Sequence, residues 1–589
     1  MNNKKIESEA GLWSRRFNLA KTNQETLFDE ASKNYDILYA VFNTSNIAPW
    51  RSKVYVPILA SKAWDLISRL SSIVPRFTVE VENEFEVDEM GNLGISEAAR
   101  MVEDKIEAYL EKSYLNVSSE PIKLKVQNTL MDAVAAGTGF AKAPWVFEKN
   151  TTKARPIESD NINVDLSKEV VKKTVKGYND FVPVNFFNVF IAPNSSSFFT
   201  APYIIIREFM TKGDIKKSGL YKNIDKIKYG LIDEDFQNYN RSRNSIENAS
   251  DNQDSSIDYA TIFECYDRDN KTIITYAIGN VKDEWVEIRR QVDPYWHGMF
   301  PVVPFYIRRK SFSPWGESMF ENNSRLQNAV NDLFNHYLDN WNLSVDGMIM
   351  YEDNSLTSDF IVQPGGEISY TGEKPSQYRF PEPNPQQLTT VLDVINQALE
   401  QATVPQYLSG VPDSQLDKTA GTASGIRSLT EAATEKVAYM KDNFKQSMKV
   451  LGTMWASNAK QYMDKVETVK MTADGRTMPY LLSPSDLQRE FNVEIDDDSM
   501  VPMSKQQMRE AQLQFQKQLL EVQGASYEQA KVLGHPEDSL RLDFKKMATE
   551  LGDIFTVSEA EKFILPTDAQ PAQPPMQPPM APEQQMGVM

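Results

Sequence analysis

Residues 402–440 read ATVPQYLSGVPDSQLDKTAGTASGIRSLTEAATEKVAYM. The first half places Pro405, Gly410, Pro412, Gly421 and Gly425 among Asp, Ser, Thr and Lys, a composition that stops helices and permits bending. The second half opens the clearest periodicity in the chain: Ile426, Leu429, Ala433, Val437, Met440, Phe444, Met448, Leu451, Trp455, Ala459 and Tyr462. These steps of three and four repeat every eleven residues and hold a nearly straight apolar stripe. They predict one helix over 426–462, roughly 55 Å long at about 1.5 Å per residue. A soft hinge therefore opens onto a long, stiff rod.

Working upstream, Leu388, Leu392, Ile395, Leu399 and Ala402 predict a helix that stops at Pro405. Before it lies a compact insert over 342–384 with the strand-like runs GMIMYED and DFIVQPGGEISY. Before that, a stripe of Leu326, Val330, Leu333, Tyr337 and Trp341 follows SPWGESMFE and predicts another helix. The N-terminal part mixes element types. Leu27, Ala31, Tyr35, Leu38 and Phe42 give a helix over 24–42, and a second runs from Pro57 to Ser72 into the alternating strand RFTVEVE. A helix over 121–136 breaks at Gly137 and Gly139 and leads to a strand ending at Trp145. Residues 150–310 are rich in strand patterns such as YIIIREFM, YATIFECYD and KTIITYAIG, with an Asn-, Ser- and Asp-rich loop over 238–256. Downstream, TADGRTMPYLL reads as a hairpin, 503–533 and 538–555 as amphipathic helices, and the QPPM-repeating tail as a segment without a packed core.

At 589 residues the chain is long enough for several packed regions, and 41% hydrophobic with 25% charged residues is ordinary for a globular protein. The net charge of -19 opposes a tight grip on nucleic acid, which needs cations against phosphates. It suits a wall that DNA passes without sticking. The lone Cys265, in a strand pattern, excludes an intrachain disulfide framework and a Cys-rich zinc site, and reads as a small buried side chain. With no apolar leader region and no run of about 18 apolar residues, the expectation is a soluble, cytosolic-type chain.

Catalytic signatures are missing. There is no G-x-x-x-x-G-K-[ST] loop, no G-x-G-x-x-G after a strand and no H-E-x-x-H. His297, His336 and His535 are scattered and read as surface or core-edge residues. EIDDDS at 494–499 reads as a solvated acidic turn rather than a calcium loop, and GTASG at 421–425 as a flexible helix entry rather than a phosphate cradle. Trp145, Trp315, Trp341 and Trp455 are not interleaved with basic residues and read as packing residues. No enzymatic activity, cofactor or metal is expected.

The order of four stretches resembles the portal protein of tailed bacteriophages, the ring at one capsid vertex through which DNA is packaged. They are DAVAAGTGFAKAPWVF, FVPVNFFNVFIAPNSSSFFTAPYIIIREFMTKGDIKK, PVVPFYIRRKSFSPWGESMFENNSRLQNAVNDLFNHYLDN and ATVPQYLSGVPDSQLDKTAGTASGIRSLTEAATEKVAYM, and the resemblance spans about 20–555. It implies an α+β portal-type fold: an N-terminal wing over 1–316, stem helices over 317–341 and 385–404 around a clip over 342–384, and a channel loop over 405–425. A long wing helix and hairpin over 426–500, a crown-like helical region over 501–566 and a disordered tail over 567–589 complete it. The channel-loop candidates are then Ser409, Gly410, Asp413, Gln415, Asp417, Lys418, Gly421 and Gly425, with Lys418 the basic group flanked by Asp413 and Asp417.

The resemblance also implies a virion protein at the portal vertex, assembled in the host cytoplasm as a homo-oligomer of twelve subunits. It would serve DNA packaging and ejection with a terminase motor, capsid and scaffolding proteins, head-tail adaptor or tail proteins, and transient, sequence-independent contact with double-stranded DNA, and no membrane. The competing readings are a cation-dependent hydrolase built on EIDDDS, a motor ATPase, and a monomeric helical scaffold or adaptor. The missing phosphate loop disfavours an ATPase, and a monomeric adaptor gives no reason for the hinge.

Overall fold

A computed structural model describes residues 8–496 and, beyond them, Lys517 and Glu521; residues 43, 45–46, 73–74, 82–84, 88–92, 96, 116–119, 154–170, 231–257, 282–283, 353–362, 371–381, 404–422 and 474–475 are outside the description. The helices expected over 503–533 and 538–555, the tail and the 238–256 loop thus lie outside the described residues. Residues 1–469 and 481–500 form one compact unit; residues 470–480 and 501–589 form a second.

The chain begins with a 30-residue helix, α1 (Glu9–Leu38), fifteen residues earlier than its apolar pattern suggests. Ser8 caps it by accepting from the Gly11 N–H at 3.2 Å. Trp13, Phe17, Ala20, Gln24, Phe28, Ala31 and Tyr35 fall on its buried side. Then come α2 (Ile58–Ser71), α3 (Glu97–Tyr114) and α4 (Ile122–Ala136), the last buried along most of its length. Tyr35 donates to Asp132 at 2.7 Å, and Asn34 donates to the Ala135 carbonyl at 2.9 Å, so α1 is pinned to α4 by polar groups as well as by packing.

Strands fill the next region. β1 (Phe77–Val81), β2 (Phe85–Val87) and β3 (Leu93–Ile95) precede α3. After α4 come β4 (Thr138–Lys142), the long β5 (Trp145–Lys153) and β6 (Val171–Asn179), β7 (Val182–Val184), β8 (Val189–Ile191) and β9 (Tyr203–Thr211). The short α5 (Lys212–Ser218) separates these from β10 (Tyr259–Asp267), β11 (Thr272–Ile278), β12 (Trp285–Val292), β13 (Val302–Tyr306), β14 (Arg308–Arg309) and β15 (Gly316–Glu317). Strands β12-β11-β10-β9-β8 form an antiparallel sheet, and β13-β4-β7 form a second. Cys265 on β10 is fully buried, and burial pushes its thiol well up. Helix α1 lays Phe17 against Phe190 and Phe263 of the larger sheet, where Phe263 stacks on Trp285 at 4.2 Å between centroids.

The second half is led by helices: α6 (Ser324–Val345), α7 (Pro385–Ala402) and α8 (Ala423–Tyr462). Between α6 and α7, β16 (Ile349–Glu352) and β17 (Glu367–Tyr370) pair in parallel. After α8, β18 (Glu467–Ala473) pairs with β19 (Arg476–Leu482), as the hairpin pattern predicts, and β20 (Phe491–Ile495) returns to pair with β1. Glu494 and Ile495 therefore finish a strand, which corrects the reading of EIDDDS as a turn throughout. Helices and largely antiparallel strands in separate runs make this an α+β protein.

One backbone approach ties the halves together. Gly137 caps α4 with φ 85, and a β-carbon on Gly316 would stand 2.2 Å from the Gly137 carbonyl oxygen. Only two glycines let these chains touch, and the Gly316 N–H donates to Thr138 Oγ1 at 2.8 Å.

Candidate channel-loop anchor

The eight loop candidates divide by position. Ser409, Gly410, Asp413, Gln415, Asp417, Lys418 and Gly421 lie outside the described residues. Gly425 sits in the first turn of α8, which begins at Ala423, three residues before the apolar stripe. This corrects the placing of Gly425 in the hinge itself. The frame that holds the two ends of this segment is described.

The frame starts from α6. Of its expected stripe Val330 is fully buried, Leu326, Leu333 and Tyr337 are half-buried and Trp341 is 46% exposed, so Trp341 is not a packing residue of this chain. The buried side also carries Gln327, Asn331 and Asp339, with Asn335 completing a row at every fourth residue. These side chains bond the main chain of 52–59. Asp339 accepts from the Ser52 N–H (2.6 Å), Asn335 from Val54 (2.8 Å), Asn331 from Val56 (3.0 Å) and Gln327 from Leu59 (2.9 Å). Asn335 and Gln327 also donate to the carbonyls of Val54 and Val56. Four helical residues rise about 6.0 Å and two extended residues about 6.6 Å, so the rungs nearly match. The last step, from Val56 to Leu59, takes three residues because the chain turns there into α2, with the Ile58 N–H bonding the Val56 carbonyl at 2.9 Å.

Helix α7 follows the expected pattern: Leu399 is buried and Leu388, Leu392 and Ile395 are half-buried, while Val394 is 61% exposed. Its end is held on three sides. Arg308 donates to the Ala402 carbonyl at 2.8 Å, Thr403 bonds back to Leu399, and Lys62 of α2 stands 3.8 Å from Glu400. Burial pulls the Lys62 ammonium down from its ordinary value, with Glu400 working against that. Helix α8 is held from the other side of the same strand connection. Asn443 donates to the Ile307 carbonyl at 3.1 Å, and Phe444 packs on Phe305. Two consecutive residues, Ile307 and Arg308, thus tie both helices that flank 404–422.

The stripe on α8 is buried from Met440 to Ala459 and half-buried at Tyr462. Met440, Phe444, Met448, Leu451, Trp455 and Ala459 are all at most 3% exposed. Trp455 donates to the Asp180 carbonyl at 3.1 Å, and Trp145 stacks on Tyr462, so these two tryptophans pack as expected. Trp315 stands edge-on to Phe140 and Phe186. Sequence reading missed the charges beneath this frame. Lys142 of β4 contacts Glu208 of β9 and stands 2.5 Å from Glu264 of β10, joining the two sheets. Burial opposes its charge, but the two carboxylates outweigh burial and hold the ammonium above the ordinary lysine value. Glu264 is likewise pushed up by burial and, more strongly, held down by Lys142 and by the Tyr266 hydroxyl at 2.9 Å.

The two described histidines stand in separate surroundings. His297 is stacked on Tyr295, accepts from the Met299 N–H, and is pushed down to about 4 by burial; His336 is exposed, and His535 is outside the described residues. Among the described residues no three His, Cys, Asp or Glu side chains gather as a metal site, and no helix is long and apolar enough to cross a membrane.

No curated protein matches this sequence significantly. The family model described as phage SU10 portal protein matches residues 95–589, from the start of α3 to the end of the chain, and so takes in the anchor, both flanking helices and the segment between them. By that match, over far more than half its length, the chain belongs to the phage portal protein family.

Proposed function

We propose that this chain assembles as a closed ring at one vertex of a phage head and forms the conduit for double-stranded DNA in packaging and ejection. Helices α6 and α7 act as the stem, at Ser324–Val345 rather than the expected 317–341 and at Pro385–Ala402, around the clip between them, and 405–422 forms the loop that faces the bore. The packaging motor, capsid proteins and tail connector dock on the ring, and catalysis belongs to the motor. The observation that carries this reading is the double anchor. Ile307 and Arg308 hold α7 and α8 in one place, so the nineteen residues 404–422 are presented from a fixed base. An acidic chain of net charge -19 suits a wall that repels phosphates.

Negative-stain images of the purified full chain test the assembly: rings with a central hole are expected, and a persistent 67.1 kDa species overturns the reading. A second experiment addresses the loop. Replacing Gly410 and Gly421 with valine restricts the backbone and is expected to leave ring yield unchanged while lowering the yield of DNA-filled heads several-fold. Normal filling by that variant would separate the loop from the DNA path.

A further inference from the structure

The sheet β12-β11-β10-β9-β8 is covered on both faces, and the two covers differ. Helix α1 lies on one face, where Phe17 meets Phe190 and Phe263. The other face is covered by the segment 212–230, which begins with α5. Neighbouring residues of a strand point to opposite faces, so Ile262 of β10 turns away from α1. It joins Ala260, Ala277 and Ile288 in an apolar cluster that Ile215 and Ile227 of the segment close. The main chain of the segment is stitched to the sheet: the N–H groups of Lys212, Lys222 and Lys228 bond the carbonyls of Asp258, Ile288 and Ile278.

With its apolar side chains turned inward, the segment shows lysines to solvent. It holds Lys212, Lys216, Lys217, Lys222, Lys226 and Lys228 against Asp214 and Asp225, a net of +4 in a chain of net charge -19. All six lysines are exposed. Asp214 is taken up by the Thr211 hydroxyl at the cap of α5. Lys212 stands 4.0 Å from Asp258 and over the Tyr229 ring, Lys222 lies near Glu287, which is itself bonded to Arg290, and Lys228 has a partner of its own. Among the described residues no carboxylate pairs with Lys216, Lys217 or Lys226. Cations gathered on one surface raise the potential there and draw in an anion of repeating charge.

We propose that the lysine face of 212–230 is a contact surface for double-stranded DNA apart from the 404–422 loop, holding the phosphate backbone weakly and without regard to sequence. Its cations are all lysines, compact point charges without the forked geometry by which arginine reads a base edge or grips a carboxylate. Tyr221 and Tyr229 pack against the apolar cluster, so no ring of the segment stands out to stack on a base. What remains recognises charge density. Duplex DNA carries one charge in about 1.7 Å of axis, whereas even an extended, wholly acidic peptide carries one in about 3.3 Å. The surface is complete in one chain and separate in sequence from 404–422, so it goes beyond the conduit reading and does not rest on it.

Fluorescence anisotropy of a short labelled duplex of mixed sequence, titrated with the purified full chain, tests the surface. With four lysines on phosphates, wild-type affinity is expected to fall on the order of 100-fold between 50 and 200 mM salt. Lys216→Glu, Lys217→Glu and Lys226→Glu together are expected to keep the wild-type circular dichroism, to lower affinity at 50 mM salt by about tenfold or more, and to flatten the salt dependence. The milder set Lys216→Gln, Lys217→Gln and Lys226→Gln should lose less, in the same direction. Lys33→Glu, Lys53→Glu and Lys123→Glu, at exposed positions elsewhere, change the net charge as much as the first set and are expected to stay within about threefold of wild type. Equal loss in the two glutamate sets, or no loss in either, overturns the surface. So does displacement of the duplex by poly-glutamate at equal charge, which would assign the face to an acidic protein. A wild-type chain that binds the duplex through these lysines without assembling overturns the conduit reading alone, and rings that bind it unchanged after the first set of substitutions overturn this surface alone.

Discussion

Replacing Lys142 with methionine is expected to remove about 3–5 kcal/mol of stability at pH 7 and to reverse the chain's response to acid. Methionine fills most of the space but leaves Glu208 and Glu264 without the ammonium that both contact. In wild type the Glu264 carboxyl is held below its ordinary 4.5. It therefore contributes stability above that value, and the contribution is lost as pH falls through the lowered one. Without Lys142, burial is opposed only by the Tyr266 hydroxyl and Arg289 and is expected to push the Glu264 carboxyl up. The folded variant then holds a proton that the unfolded chain has already released, so its stability rises as pH drops from 7 toward 4.5. Urea midpoints at pH 7 and pH 5 decide the matter. A variant that loses stability on acidification in parallel with wild type would show that the ion cluster does not bridge the sheets as described.

The second large effect is expected from Gln327→Leu combined with Asn331→Leu. Two main-chain N–H groups, of Val56 and Leu59, lose their partners, and the Val56 carbonyl is left with the Ile58 N–H alone. At about 1–3 kcal/mol for each unsatisfied group, the double variant should lose ~2 kcal/mol or more. Val54→Ala, by contrast, changes a 40% exposed side chain and leaves every rung in place, so its cost should stay within about 0.5 kcal/mol. Hydrogen exchange at Val56 and Leu59 should accelerate in the double variant alone. A double variant as stable as Val54→Ala would remove the row from any role in holding 52–59.

What could be read from the sequence follows from where apolar residues carry the burial. Helix α8 was legible because the described members of its stripe are apolar side chains, buried from Met440 to Ala459 and half-buried at Tyr462. Helix α7 was legible for the same reason, with Leu392 rather than Val391 on the covered side. The first half of α1 was not, since buried Gln24 interrupts its pattern and its single carbonyl partner lies 167 residues away on Ile191. Nor was α3, whose inward Glu103 and Glu107 cap a strand edge and read as solvent-facing carboxylates. In α6 the apolar stripe is fully buried only at Val330, and the row of Gln327, Asn331 and Asp339 beside it was not legible, because hydrophobic periodicity gives no weight to polar side chains that bond a main chain. The anchor at Ile307 and Arg308 joins residues 94 and 136 positions away, and only the fold brings those together.

The row on α6 also decides how the link between α1 and α2 bears force. Its bonds lie across the direction of 52–59, so tension along that segment loads the rungs in parallel, as a seam is loaded in shear. A peeled strand yields one bond at a time, whereas a sheared one must yield several at once. The connection from α1 to α2 is therefore a stitched strap rather than slack cord. A pull arriving at Ser52 is shared among the four bonded side chains of α6 before it reaches α2.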